Sequence, residues 1–347
     1  MAKAFIQEST LTDIANAIRG KNSSSDTYLP SEMAAAITAI PTGGGGEWEP
    51  NWFYIEDVSG AANTLTIKKS NNALDDKVFE WSLDKQTWTT VTITDTTGES
   101  IAVPANGKVY LRGDNITLAN ANYYTNIDCT SVFAVGGDIT TLLVKAGSQM
   151  MIRGYAYSYL FFDSNVQSAQ YLDILVTSNH CCESMFHGCT SLTHTPALPA
   201  TALSQYCYQY MFQGCTSLTA APALPANETQ YACYRGMFKD CTSLATTPSL
   251  PATTMTTDCY REMFQGCTSL TAAPALPATT ILAGCYRDMF HDCTLLTRVE
   301  VYATAWIVQA TWLSGVAATG DFYNLRGATI PTGTNGIPSG WTEHTTL

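Results

Sequence analysis

The chain has 347 residues, of which 46% are apolar and only 13% charged, and its formal net charge is −12. That length allows two or three domains, and the acidic balance argues against a nucleic-acid partner, because neutralising phosphates needs Lys and Arg in excess. No run approaches the ~18 apolar residues of a membrane span, and the opening "MAKAFIQESTLTDIANAIRG" lacks the apolar core of an export signal, so neither membrane insertion nor secretion is expected.

Residues 1–42 read as a small helical module. Leu11, Ile14 and Ile18 recur at helical spacing, "GKNSSSD" interrupts, and Met33, Ile37 and Ile40 form a second stripe. Two short one-sided helices cannot close a core of their own. These six residues are therefore either candidates for docking or oligomerisation, or the face of a disposable cap. Residues 43–46 are a glycine linker.

Residues 47–149 read as a β-sandwich of roughly six or seven strands. "TLTIKKS", "KVFEWSLD", "TWTTVTIT", "SIAVPANGKVYLRGD" and "TTLLVKAG" are short alternating runs between turn residues. Aromatic residues cluster here, among them Trp52, Tyr54, Trp81, Trp88, Tyr110 and Tyr124. Exposed rings of this kind suit sugar stacking, whereas Trp81 and Trp88 fit an inter-sheet core.

Residues 150–297 are a repeat array. "MFQGCTSLTAAPALPA" occurs at Met211 and again at Met263, with a near-copy at Met237, so the period is 26 residues. Five units follow the same Cys, Met-Phe and Cys register, and residues 150–180 read as a degenerate N-cap repeat with Leu160-Phe161 in place of Met-Phe. Cys207, Tyr208, Met211, Phe212 and Cys215 fall within about 140° of one helical face. The spacing therefore predicts a short helix ending near Gly214. In the "LTAAPALP" that follows, Leu218, Ala220, Pro222 and Leu224 are expected to point inward and Thr219, Ala221 and Ala223 outward. Cys207, Met211, Phe212, Cys215, Leu218 and Leu224 are the predicted repeat core. Residues 298–347 are read as a C-terminal cap.

The expected fold class is thus multidomain α+β: a helical module, a β-sandwich and a leucine-rich-repeat-like α/β solenoid with its cap. Eleven of the twelve cysteines lie in the array. Buried free thiols, inter-coil disulfides and metal ligation are the three readings. The C-x7-C spacing and the irregular histidines disfavour metal, so no metal, cofactor or catalytic residue is assigned. Arg235, Arg261 and Arg287, with Lys239, Gln265 and His291 four residues on, are candidate ligand contacts for an acidic surface polymer. The alternative is a solvated face neutralised by Asp240, Glu262, Asp288 and Asp292.

The unit "CYxxMFxGCTSLTxxPxLPA" resembles the BspA-type, or Treponema pallidum-type, leucine-rich repeat. That family is associated with bacterial cell-surface and adhesion proteins and brings no catalytic residues. "LTDIANAIRG…LPSEMAAAITAI" at 11–40 is similar to N-terminal modules of tail proteins from phages of Gram-positive gut bacteria. Together the resemblances imply a non-enzymatic, tail-associated receptor-binding protein, made in the bacterial cytoplasm and carried on the virion. Its expected partners are a bacterial surface protein or glycan and, through residues 1–42, other tail proteins. A homo-oligomer is expected, a trimer by analogy with tail fibres. The alternatives are a bacterial cell-surface adhesin and, more remotely, a polysaccharide depolymerase.

Overall fold

The computed structural model describes residues 51–143, 153–174 and 178–347. The expected N-terminal helical module, with Leu11, Ile14, Ile18, Met33, Ile37 and Ile40, lies outside them. Eight strands occupy the first described stretch: β1 (Phe53–Asp57), β2 (Asn63–Lys69), β3 (Lys77–Ser82), β4 (Thr89–Ile93), β5 (Glu99–Val103), β6 (Lys108–Gly113), β7 (Thr125–Cys129) and β8 (Phe133–Asp138). Alternation decides which side each residue takes. Phe53 and Ile55 of β1, Leu65 and Ile67 of β2, and Val109 and Leu111 of β6 are all buried, with their neighbours partly exposed. The strands divide into a sheet ordered β4-β3-β6-β1-β8 and a second ordered β5-β2-β7. "SIAVPANGKVYLRGD" splits at Pro104–Gly107, and its halves, β5 and β6, enter different sheets. "TTLLVKAG" was expected as a strand, but Ile139–Leu142 is a 3-10 turn, opened by the Asp138 carboxylate accepting from the Thr140 amide.

The first sheet does not stop at the expected boundary near residue 149. A ninth strand, β9 (Val166–Asp173), pairs in parallel with β8, matching Ala134 to Ser168. Ser168 then bridges His194 of the next repeat. Residues 51–347 consequently belong to one compact unit.

The repeats themselves correct the expected fold class. The described residues contain no α-helix, and the array is not an α/β solenoid. From Tyr206 to Cys215 the amides of Tyr206, Tyr208, Tyr210, Phe212 and Gly214 leave their own segment. They donate to carbonyls of Tyr231, Cys233, Arg235, Met237 and Lys239 in the next repeat. The intervening amides of Cys207, Gln209, Met211, Gln213 and Cys215 each donate three residues back, closing tight turns. Every fourth residue is left-handed: Tyr206 at φ 58°, Tyr210 at 53° and Gly214 at 74°. A right-handed helix cannot pass through such residues. The apolar spacing that predicted a helix is equally satisfied by a coil of turns advancing four residues at a time.

The segment after each coil is also irregular. Leu218 and Leu224 are buried, but Ala220 is exposed and Ala221 is partly buried, so the expected alternation loses phase midway. Pro222 lacks an N–H and interrupts the pairing, which is left as isolated bridges, Ala220 with Thr246 and Glu228 with Thr254. Where proline is missing, genuine parallel strands form. β10 (Arg298–Val301), β11 (Gly320–Asn324) and β12 (Trp341–His344) pair in order, Arg298 with Asp321 and Asp321 with Thr342. Because Arg298 also bridges Ala272, residues 298–347 extend the stack by further turns of chain.

Stacking places each residue on its own counterpart. Phe161, Phe186, Phe212, Phe238, Phe264 and Phe290 form one column, with ring centroids 5.2–5.7 Å apart and planes within 15°. Tyr208, Tyr234, Tyr260 and Tyr286 form a second. Full burial of each Phe stabilises by about 1.5–3 kcal/mol. All twelve cysteines are free and buried. The Cys215 thiol donates to the Phe186 carbonyl at 3.1 Å, an oxygen already accepting the Cys189 amide at 3.2 Å. The same bond recurs from Cys241, Cys267 and Cys293. Cysteine serves this position as a small apolar group that still carries a weak donor. Burial pushes the Cys189 and Cys293 thiols up to about 12.

Candidate functional site

One face of the coils runs along the left-handed positions and their neighbours, and its side chains range from buried, as at Glu262, to exposed, as at Asp240. Its C-terminal half carries the cations singled out from the sequence. Glu262, only 8% exposed, gathers three of them: Arg261 Nε at 2.9 Å, Lys239 Nζ at 3.0 Å and Arg235 Nη2 at 3.5 Å. Burial acts to raise the Glu262 carboxyl, but Lys239, Arg235 and Arg261 outweigh it and hold it below the usual range. Arg287 Nε lies 3.3 Å from Asp288, and His291 Nδ1 lies 3.2 Å from Asp292. Gln265 is half-buried, and its carbonyl accepts the Asp240 amide at 2.7 Å. Five of the six predicted contact residues thus sit beside carboxylates, and the cationic column is internally compensated. Cys207, Met211, Phe212, Cys215, Leu218 and Leu224 are all buried in the core.

The N-terminal half of the same face is aromatic, and none of its rings is among the residues expected to contact a ligand. His180 lies between Tyr155 and Tyr206, with centroids at 4.4 and 4.3 Å and near-parallel planes. Closer to the two sheets, Tyr124 stacks on Tyr159 at 4.9 Å and Phe162 on His187 at 4.7 Å. Tyr155, Tyr159, His180, Tyr206 and Tyr210 all have positive φ. Left-handed backbone at these positions directs the rings onto the surface column instead of into the core. The available signal was aromatic residues four apart, which a helical reading scatters around a cylinder.

A second aromatic group lies on the outer face of the first sheet. Trp88 packs edge-on to Trp52 at 5.3 Å, and the Arg112 guanidinium lies 3.9 Å from the Trp88 ring centre while bonding Glu80 at 2.5 Å. Trp88 is therefore not part of the inter-sheet core, whereas Trp81 is partly buried against it. Among the described residues no cluster of three or more His, Cys, Asp or Glu has the arrangement to hold a metal ion. No helix among them is long and apolar enough to cross a membrane. Comparisons with protein-family models, curated proteins and solved structures return no match to this chain.

Proposed function

We propose that the chain is a non-enzymatic adhesion protein of a phage tail, contacting the host cell surface through its stacked coils, its two-sheet region, or both. The observation that carries this reading is the aromatic half of the turn face. Rings fixed by their neighbours and partly open to solvent offer contact area at little further entropic cost. The compensated cation column makes a purely electrostatic attachment to an acidic polymer the weaker variant. The likeness of residues 11–40 to tail-protein modules supports placing docking to other tail proteins there, with the rest of the chain left free to reach outward.

Gold-labelled antibody against the intact protein tests the assignment on purified particles and on the cells that encode it. Label at tail tips is the expected result. Label on the cell envelope with none on particles overturns the tail reading and favours a bacterial surface adhesin, as the repeat motif alone would imply.

A further inference from the structure

Where the first coil meets the second sheet, an open cleft of about 400 Å³ is lined by Lys68, Ser70, Tyr124, Asp128, Phe162 and Asp163, among others. Its apolar side consists of Tyr124 and Phe162, with ring centroids 5.8 Å apart. Each is backed by a second ring, Tyr159 behind Tyr124 and His187 behind Phe162, and so is held in place. Its polar side is equally fixed. The Asp128 carboxylate accepts the Cys129 and Asn165 amides at 2.8 Å each, and Ser70 Oγ accepts the Tyr124 amide at 2.9 Å. Asn126 Nδ2 donates to the Phe162 carbonyl at 2.9 Å, tying the two sides together.

The charge balance narrows the ligand. Lys69 also borders the cleft, but its ammonium is consumed by the Leu74 carbonyl at 2.8 Å and Asp76 at 3.0 Å. With Lys69 neutralised by Asp76, the lining sets Lys68 against Asp128 and Asp163, a balance of one negative charge that disfavours phosphate, sulfate and uronate groups. Aromatic faces beside carboxylate and hydroxyl groups fit a ligand with an apolar C–H face and a hydroxyl-bearing edge. The volume lies toward the small end of the range for ligand pockets and suits one or two sugar rings.

We infer that this cleft binds a neutral or amino sugar of mono- or disaccharide size. The inference deepens the adhesion reading by naming the chemistry of the surface receptor, and rests on that reading only for its biological meaning.

The full chain is titrated calorimetrically with N,N′-diacetylchitobiose, with cellobiose and, separately, with calcium chloride. The variants are Asp163→Asn and Tyr124→Leu. Asn tolerates the left-handed backbone of Asp163, at φ 52°, so that variant is expected to fold even if Tyr124→Leu does not. The expected result is saturable binding of at least one sugar, weakened about tenfold in Asp163→Asn, the loss of one charged hydrogen bond. Three results overturn the proposal: no saturation by either sugar, sugar binding undiminished in Asp163→Asn, or calcium binding alone. Attachment to host cells is measured in parallel. Attachment without sugar binding sinks the cleft and leaves the adhesion reading. Sugar binding without attachment upholds the cleft and sinks that reading.

Discussion

An aspartate at the last left-handed position of one coil leaves room only for glycine at that position of the next. A Cβ on Gly266 would collide with the Asp240 carboxylate, one on Gly315 with Asp292 and one on Gly188 with Asp163, whereas Gly214 has nothing nearer than 3.6 Å. Both Gly214→Ala and Gly266→Ala should cost about 1 kcal/mol for the left-handed backbone. Gly266→Ala should cost more, and Asp240→Gly should remove the excess. Chemical denaturation of the two single variants and the double variant measures it, and equal costs would refute the rule. Glu262 makes a second residue-scale prediction. Its folded pKa lies below the ordinary 4.5, so its contribution is complete above that value and disappears as pH falls through the lowered one. Glu262→Gln should be about 1–2 kcal/mol less stable than the parent at pH 7. The gap should close on acidification below about pH 4.5, and a gap independent of pH would show that the cations contribute nothing through charge.

At the scale of the element, one rung of the ring column is the unit of cohesion. Phe238 lies 5.7 Å from both Phe212 and Phe264, and Phe238→Ala should cost about 3–5 kcal/mol in urea unfolding. A loss under 1 kcal/mol would mean the neighbours close over the gap. The sequence made this column legible, because Met-Phe recurs every 26 residues and only like-on-like stacking gives an exact repeat a purpose. The path of the chain between rungs was not legible as a helix or otherwise. Cys207, Met211 and Cys215 mark one face at four-residue spacing in a helix and in a coil of turns alike. The discriminating sign was present: Gly188, Gly214, Asp240, Gly266 and Asp292, residue types that tolerate positive φ, stand before the second cysteine of every unit. The cleft was less visible still, since Tyr124 and Asp128 meet Asp163 only where the first coil bonds to β7, through the Ile127 amide on the Leu160 carbonyl and the Asn165 amide on Asp128. No local pattern specifies that pairing.

Across the whole molecule, stability should follow nearest-neighbour contacts between coils. Removing residues 215–240 joins Gly214 to Cys241 and preserves the register of the Met-Phe columns. The shortened chain should still unfold cooperatively, with a denaturant m-value lower by roughly a tenth. Failure to fold would mean that the coils are not interchangeable units. The direction of the bonds between coils has a mechanical consequence. They run along the stack while the covalent chain runs across it, so a load applied at the C-terminal coil strains the last interface alone. Coils should peel away singly, each of 26 residues releasing roughly 90 Å of slack. Pulled by its C-terminal end, a single molecule would lengthen in even steps, one coil at a time, while the two sheets at the other end of the stack kept their fold.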